Sequence, residues 1–316
     1  MAQDRKYIDT PVWDKTFAES EKVTHRKVTF RNRYGIELVG DLYTPKSLAG
    51  KVAAIAVCGP YGAVKEQCSG LYAQTLAERG FVTLAFDPSF SGESGGQPRY
   101  ISSGEIYTED YSAAVDFLML QPDVDGERIG ILGICGFGGI CINAAVQDTR
   151  IKATVSSTMG AFDPYDSEQR YEMRRRLNEK RSEDLLSGRV NERSGGVPAI
   201  LPDDAPEFMR DYRDYYKTSR GFHARSVNSN GGWEVIADLP FLTNSLLDHA
   251  DEIRSAVLVI HGDKAYSLPA SQEAFARLTG DNKELLIIPG ASHTDLYDRT
   301  DIIPFDKIES FFKTYL

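Results

Sequence analysis

From Val23 to Tyr43 apolar and polar residues alternate, with Ile36, Leu38 and Leu42 set between polar neighbours and the turn-forming stretch Asn32–Gly35 dividing the run. A period of two on either side of a turn predicts an antiparallel hairpin with one buried face. The pattern then changes. Val52–Val57 and Phe81–Phe86 are short and almost wholly apolar, and Arg128–Leu132, Ala153–Ser157, Ala256–Ile260 and Leu285–Ile288 repeat the theme. Such runs predict strands covered on both faces by helices. Helical stretches lie between them: 67–79 closed by Gly80, 105–120 closed by Pro122, Ile140–Gln147, 269–278 closed by Gly280, and 301–315. Strand and helix alternate, so the fold class is α/β, with a mostly parallel central sheet, right-handed crossovers and an antiparallel N-terminal hairpin.

The rhythm breaks between Phe162 and Asp251, where arginine, tyrosine, glycine and proline dominate. A stretch this long inside an α/β domain reads as a helical cap inserted between two sheet strands. The expected organisation is an arm over 1–22, a core over 23–161 and 252–316, and a cap over 162–251. Within the cap, Phe208, Tyr212, Tyr215, Tyr216, Phe222 and Trp233 form an aromatic set, several at helical spacing. Packing accounts for most such stripes, but a cap over a site must show apolar surface to a ligand. Tyr212, Tyr216 and Trp233 are therefore candidate pocket residues.

With 316 residues the chain is long enough for one large domain with a cap, needing no external staple. A formal net charge of -10 argues against nucleic acid as partner. The basic run Arg174–Arg176 with Lys180 and Arg181 is interleaved with Glu172, Glu179, Glu183 and Asp184, as on a solvated helix face. Met1–Thr10 lacks the apolar core of a signal peptide, and no stretch is long enough to span a bilayer. The expectation is a soluble, cytoplasmic protein with no membrane or nucleic-acid partner. Cys58, Cys68, Cys135 and Cys141 are too few and too unevenly spaced for a disulfide framework, and they lack the paired spacing of a zinc site. No metal or cofactor is expected.

Cys135 stands in Gly133-Ile134-Cys135-Gly136-Phe137-Gly138-Gly139, between an apolar strand and a helix. A side chain on such a strand-turn-helix junction projects from a tight turn, beside N–H groups and the positive end of a helix dipole. Both features favour a thiolate. His293 follows the last predicted strand in Pro289-Gly290-Ala291-Ser292-His293. A thiol and an imidazole at strand ends are the beginnings of a nucleophile and base pair. Cys141 and Cys58 read as buried small hydrophobes, and Asp87 as a brace for the Gly-Ser turns that follow it.

Asp41–Pro45, Tyr61-Gly62 with Lys65-Glu66-Gln67, Gly92–Gly96, Gly133–Cys135 and Gly290–His293 together resemble the α/β-hydrolase superfamily over nearly the whole chain. Within it the chain is similar to the branch near dienelactone hydrolase, which carries Cys at the nucleophile turn, and to microbial hydrolases related to fungal polyketide transferases. The resemblance implies the chain order nucleophile, acid, histidine: Cys135, then a carboxylate, then His293. The usual acid stands three residues after the glycine of the seventh strand's end, and here that place is Ala265. Asp263 is the nearest carboxylate, Asp163 the alternative, and a Cys-His dyad without an acid the third option. Gly136 N–H supplies one oxyanion donor, and Tyr61, by backbone or hydroxyl, the second. Glu66 could hydrogen-bond the thiol or simply brace a helix start. Phe137 is the second departure, a bulky side chain where the turn usually has a small one, and Phe137 and Glu66 are further candidate pocket residues.

The expected function is acyl transfer from an ester, thioester or lactone, with hydrolysis or transfer to an alcohol. The substrate is a small acyl compound, free or carrier-bound. The alternative is a ligand-binding, lyase or isomerase protein on the same scaffold. The aromatic arm Tyr7–Phe17 is a candidate contact for a second copy in a homodimer.

Overall fold

The computed structural model describes residues 7–8, 13–160, 165–189, 192–194 and 196–316. The short β1 (Tyr7–Ile8) pairs antiparallel with β2 (Val23–Arg31), and β2 pairs with β3 (Glu37–Pro45) in a hairpin whose register runs from Val23 opposite Pro45 to Arg31 opposite Glu37. The turn between them is tied by Asn32, whose side-chain oxygen accepts from Tyr34 N and Ile36 N. This is the hairpin that the period of two predicts.

β4 (Val52–Cys58), α1 (Cys68–Glu78), β5 (Val82–Phe86), α2 (Gly104–Met119), β6 (Val124–Ile134), α3 (Gly136–Gln147) and β7 (Ile151–Ser157) alternate along the chain. After a long insertion the rhythm resumes with β10 (Ala256–Gly262), once the insertion's own α4 (Ser167–Ser187), β8 (Arg193–Ser194), α5 (Glu207–Lys217) and β9 (Trp233–Glu234) have passed. α6 (Leu268–Arg277), β11 (Lys283–Ile288), the single turn α7 (Asp295–Asp298) and α8 (Phe305–Tyr315) complete it.

The sheet order is β1-β2-β3-β5-β4-β6-β7-β10-β11, antiparallel through β3–β5 and parallel from β5 to β11. Every residue of β5 and β10 is buried, as helices on both faces require. Side chains pointing to one face pack under α1 and α8, those on the other under α2 and α3. Two helix starts differ from the sequence reading by about a turn, and β6 and β7 begin earlier than their apolar runs. α3 begins at Gly136 rather than Ile140, because Gly136, Gly138 and Gly139 have poor helix propensity and mask the first turn. α8 begins at Phe305, since Pro304 both blocks a helix running through it and opens the next one.

The insertion between β7 and β10 divides in two. α4 is a surface helix, closed at its start by a capping box of Asp166 and Gln169 and at its end by Gly188 in the left-handed region. Residues 221–238 instead fold back onto the parallel sheet's C-terminal edge, where β4 and β6 end. Residues 13–17 of the arm pack on the chain's own core: Thr16 N donates to Glu66 O at 2.9 Å and Asp14 pairs with Arg225 at 2.7 Å. Among the described residues no helix is long and apolar enough to cross a membrane.

Candidate active site

Cys135 follows β6 with φ 56° and ψ −121°, a backbone conformation that L residues rarely adopt. Holding it there costs on the order of 1–3 kcal/mol, which the surroundings must offset. They do so at both sides of the turn. Cys135 N donates to Ser157 O at 2.9 Å, and Gly138 N to Cys135 O at 2.9 Å. Gly133 is obligatory: a Cβ there would lie 1.9 Å from Phe137 O. Phe137 itself is buried against Tyr107 and Tyr111, with ring centroids 5.2 and 6.2 Å apart. It anchors α3 to α2 and takes no part in the pocket, so the bulky residue is absorbed under the turn rather than crowding it.

Burial pushes the Cys135 thiol up, against the pull of the Tyr297 hydroxyl, Gly136 N–H, the Tyr212 hydroxyl and Tyr61 N–H. The helix terminus therefore does not deliver a resting thiolate, contrary to what its dipole alone suggests: desolvation of the charged form outweighs it. The same contacts place both backbone N–H groups expected of an oxyanion hole beside the sulfur.

His293 is buried in the loop between β11 and α7. Its Nε2 lies 3.1 Å from Tyr297 Oη and its Nδ1 2.5 Å from Ser267 Oγ. Tyr297 thus stands between thiol and imidazole. Burial, and then the neighbouring His261, push the His293 ring down to about 3. Asp263 does not reach it. That carboxylate is exposed, and its Oδ1 accepts from Gly290 N at 2.7 Å, bracing the turn on which His293 is carried. Asp163, the alternative acid, lies outside the described residues. Ala265 is buried and offers no carboxylate, and the place on Nδ1 is held by Ser267.

The loop that carries Tyr61 is built from both the core and the insertion. Asn228 Nδ2 donates to Tyr61 O at 2.8 Å, while Asn228 N and Ser226 Oγ donate to Gly62 O at 3.0 and 2.9 Å. Gly62 has φ 88°, and a Cβ on it would lie 2.5 Å from Asn228 Oδ1, so glycine is required twice over. The Tyr61 hydroxyl points away from the sulfur to Asp238 Oδ1, 2.9 Å away, and its ring stacks on Trp233 at 4.0 Å. Of the two options for Tyr61, the backbone faces the thiol. Asn228→Ala removes the side-chain anchor while keeping the backbone one, and we expect kcat/KM to fall about tenfold, mostly in kcat, in steady-state kinetics.

The sulfur opens on a cleft of about 290 Å³ walled by Tyr212, Tyr216, Tyr266, Phe241, Leu242 and Met173, with Asp238 at one side. Tyr212 and Tyr216 thus stand where the spacing on α5 suggests, while Trp233 supports Tyr61 from behind. Glu66 is not part of the cleft. Its carboxylate pairs with Lys65 at 2.5 Å and Arg225 at 2.6 Å in a buried network, two strong cations that the thiol does not match. Tyr297, Ser267, Asn228 and Asp238 escape the sequence reading. Only Tyr297 had a visible signal, four residues after His293 and so on the same side of a helical turn. Among the described residues no group of three or more His, Cys, Asp or Glu side chains is placed to hold a metal ion.

Comparison with known proteins agrees with this layout at the level of fold and family. The alpha/beta hydrolase GrgF from Penicillium sp. sh18 superposes with a TM-score of 0.74 at 20% identity, covering 92% of this chain and 99% of that one, and shares the fold. Protein PA2218 of Pseudomonas aeruginosa is 51% identical over 97% of this chain and 85% of its own length. Its crystal structure superposes with a TM-score of 0.93 at 50% identity, covering 98% of this chain and 99% of that chain. The thiohydrolase aneE of Aspergillus aculeatus is 35% identical over 138 residues, 44% of this chain and 42% of its own. Residues 34–295 match the family model of the X-Pro dipeptidyl-peptidases (S15 family). That match takes in the thiol, the imidazole and the insertion between them, and the chain belongs to this family of hydrolases.

Proposed function

We propose that the protein is an acyl-transfer hydrolase in which Cys135 forms a covalent acyl-enzyme with an ester, thioester or lactone. One observation carries this reading: a thiol on a strained turn at the end of β6, with two backbone N–H groups beside it and a hydroxyl linking it to an imidazole. In the resting site the thiol donates to Tyr297 Oη, and the Tyr297 hydrogen goes to His293 Nε2. As sulfur attacks the carbonyl carbon, the thiol proton passes to Tyr297 and the tyrosine proton to His293. The C–S bond forms while the carbonyl π pair moves onto oxygen, where Gly136 N–H and Tyr61 N–H receive it. Collapse expels the alkoxide or thiolate, which takes up the proton held on His293; water or an alcohol then attacks the acyl-enzyme, giving its proton to the freed His293, and that proton returns through Tyr297 to the departing Cys135 sulfur.

A thiolate leaves without needing a proton. Its departure does not wait on a proton from the site, whereas an amine must be protonated to leave, so a thioester is the preferred donor and an amide the poorest. The activity in the name of the fungal thiohydrolase supports the same choice. The small cleft suits a short acyl group, free or carried on a thiol. The cysteine at the turn is the feature that aligns the chain with the dienelactone hydrolase branch. Intact-mass trapping tests the proposal: incubation with acyl thioesters and activated aryl esters is expected to give an adduct that maps to Cys135. A thiol whose ionisation burial opposes and an imidazole whose Nδ1 meets a serine hydroxyl also suit a ligand-binding or non-hydrolytic protein on the same scaffold. Failure of every such acyl donor to label Cys135 would favour that second reading.

A pH dependence follows. The base works when neutral, and it is lost as pH falls through its folded pKa, which burial lowers to about 3. The acid limb of kcat/KM is therefore expected below pH 5, not near the ordinary histidine value of about 6.5. A limb near 6.5 in a pH-rate profile would show that His293 is solvated or paired with a carboxylate in the working enzyme.

A further inference from the structure

We infer that Ser267 and His261 are positioning residues that do for His293 what a carboxylate does in a conventional triad, by means of a neutral, directional hydrogen-bond chain. The inference rests on the acyl-transfer reading for its catalytic consequence, but its geometry stands alone. Ser267 Oγ lies 2.5 Å from His293 Nδ1 and 3.1 Å from His261 Nε2, and His261 Nδ1 lies 2.6 Å from Ser271 Oγ. All four groups are buried. A buried polar group must be paired, and each ring has two nitrogens to satisfy.

The proton inventory is consistent with one direction throughout. For His293 to accept a proton at Nε2, its Nδ1 must carry hydrogen and donate to Ser267 Oγ. The serine hydrogen is then free to go to His261 Nε2, which must be unprotonated. That in turn puts hydrogen on His261 Nδ1, donating to Ser271 Oγ. Every link has one donor and one acceptor, with both rings neutral. Among the described residues the rings that face His293 are those of Tyr212 of α5, Tyr266 beside α6, Tyr297 of α7 and His261 of β10, and the partners of its two nitrogens are the hydroxyls of Ser267 and Tyr297.

A single serine could orient itself either way, donating to Nδ1 and forcing the hydrogen onto Nε2, which would block the base. His261 ties the serine's direction to its own tautomer. With Nδ1–H on Ser271, the direction we assign, His261 presents only a lone pair to Ser267 and so turns the serine lone pair toward His293; the opposite His261 tautomer would put the hydrogen on His293 Nε2. The chain reaches from the last turn of β10 to the start of α6, where Ala265 leaves no carboxylate to compete. The consequence is a base held in the right tautomer without being made more basic, unlike one paired with an anion.

The test uses the whole chain, whose five histidines give a resolvable set of ring signals. Long-range nitrogen-proton correlation spectra are expected to show His293 as the Nδ1–H tautomer. Ser267→Ala should mix the tautomers and lower kcat about 10- to 100-fold with KM little changed, and Ser267→Thr, which keeps the hydroxyl, should restore both. Ser267→Asp should keep the tautomer and move the acid limb of kcat/KM up by about one pH unit or more, because an anion now faces Nδ1. An Nε2–H tautomer in the parent protein, or a tautomer and kcat indifferent to Ser267→Ala, would overturn the inference. The tautomer is read without turnover, so a missing acyl adduct would sink the acyl-transfer reading and leave this result standing, and the reverse also holds.

Discussion

Cys135→Ala abolishes the acyl adduct and lowers turnover of an acyl thioester by about 10⁶-fold, a loss of the size seen when a nucleophile is removed from a working triad. The expectation follows from the division of labour in the site. Gly136 N–H and Tyr61 N–H belong to the backbone and survive the substitution, so some residual rate remains from the oxyanion hole and from binding. His293 remains, but without the sulfur no acyl-enzyme forms for it to serve. Cys135→Ser should recover little, because a hydroxyl gives up its proton far less readily than a thiol to the same base. Single-turnover assays with purified variants, read beside intact mass, check both statements. A serine variant with parent-like rates would mean that the reaction does not pass through a thiolate.

The parallel sheet was legible because strands buried on both faces leave continuous apolar runs, and the elbow because glycines flank the one residue that must adopt a positive φ. His293 was legible by its place after the last strand. Its partners were not. Ser267 carries no signal among the many serines of the chain, and it reaches His293 only because the β10–α6 loop folds beside the β11–α7 loop. His261 sits inside a strand whose apolar pattern gives no hint of a paired ring. Asp263 was a plausible acid in one dimension, two residues ahead of Ala265, yet its carboxylate turns outward to Gly290 N. Glu66 misled for a related reason. Its neighbour Lys65 is adjacent in sequence, but Arg225 comes from the far end of the insertion, and only the fold brings the two cations to one carboxylate.

That buried network yields the largest expected loss of stability. Lys65 Nζ, fully buried, lies 2.5 Å from Glu66, 3.1 Å from Asp87 and 2.5 Å from Glu93. Lys65→Met fills the volume but removes the cation, and the outcome depends on what each carboxylate keeps. Glu66 retains Arg225 at 2.6 Å and Glu93 retains Lys27 at 2.8 Å. Asp87 retains only backbone N–H groups, from Lys65 at 2.8 Å and Glu93 at 2.9 Å. Breaking a buried ion pair on one side costs about 3–5 kcal/mol, because the remaining charge stays desolvated. Urea unfolding at pH 8 should show a loss in that range. The pH dependence identifies the orphan. Burial already pushes Asp87 up to about 6 despite Lys65, and removing the lysine raises it further. A carboxyl whose folded pKa exceeds its unfolded one contributes stability at low pH that is lost as pH rises toward the folded value. The variant can relieve its uncompensated charge by taking a proton, so its deficit relative to the parent should be smaller at pH 5 than at pH 8. A deficit equal at both pH values would place the loss in packing rather than in Asp87, and one below about 1 kcal/mol would mean that the network adds no more than a surface ion pair.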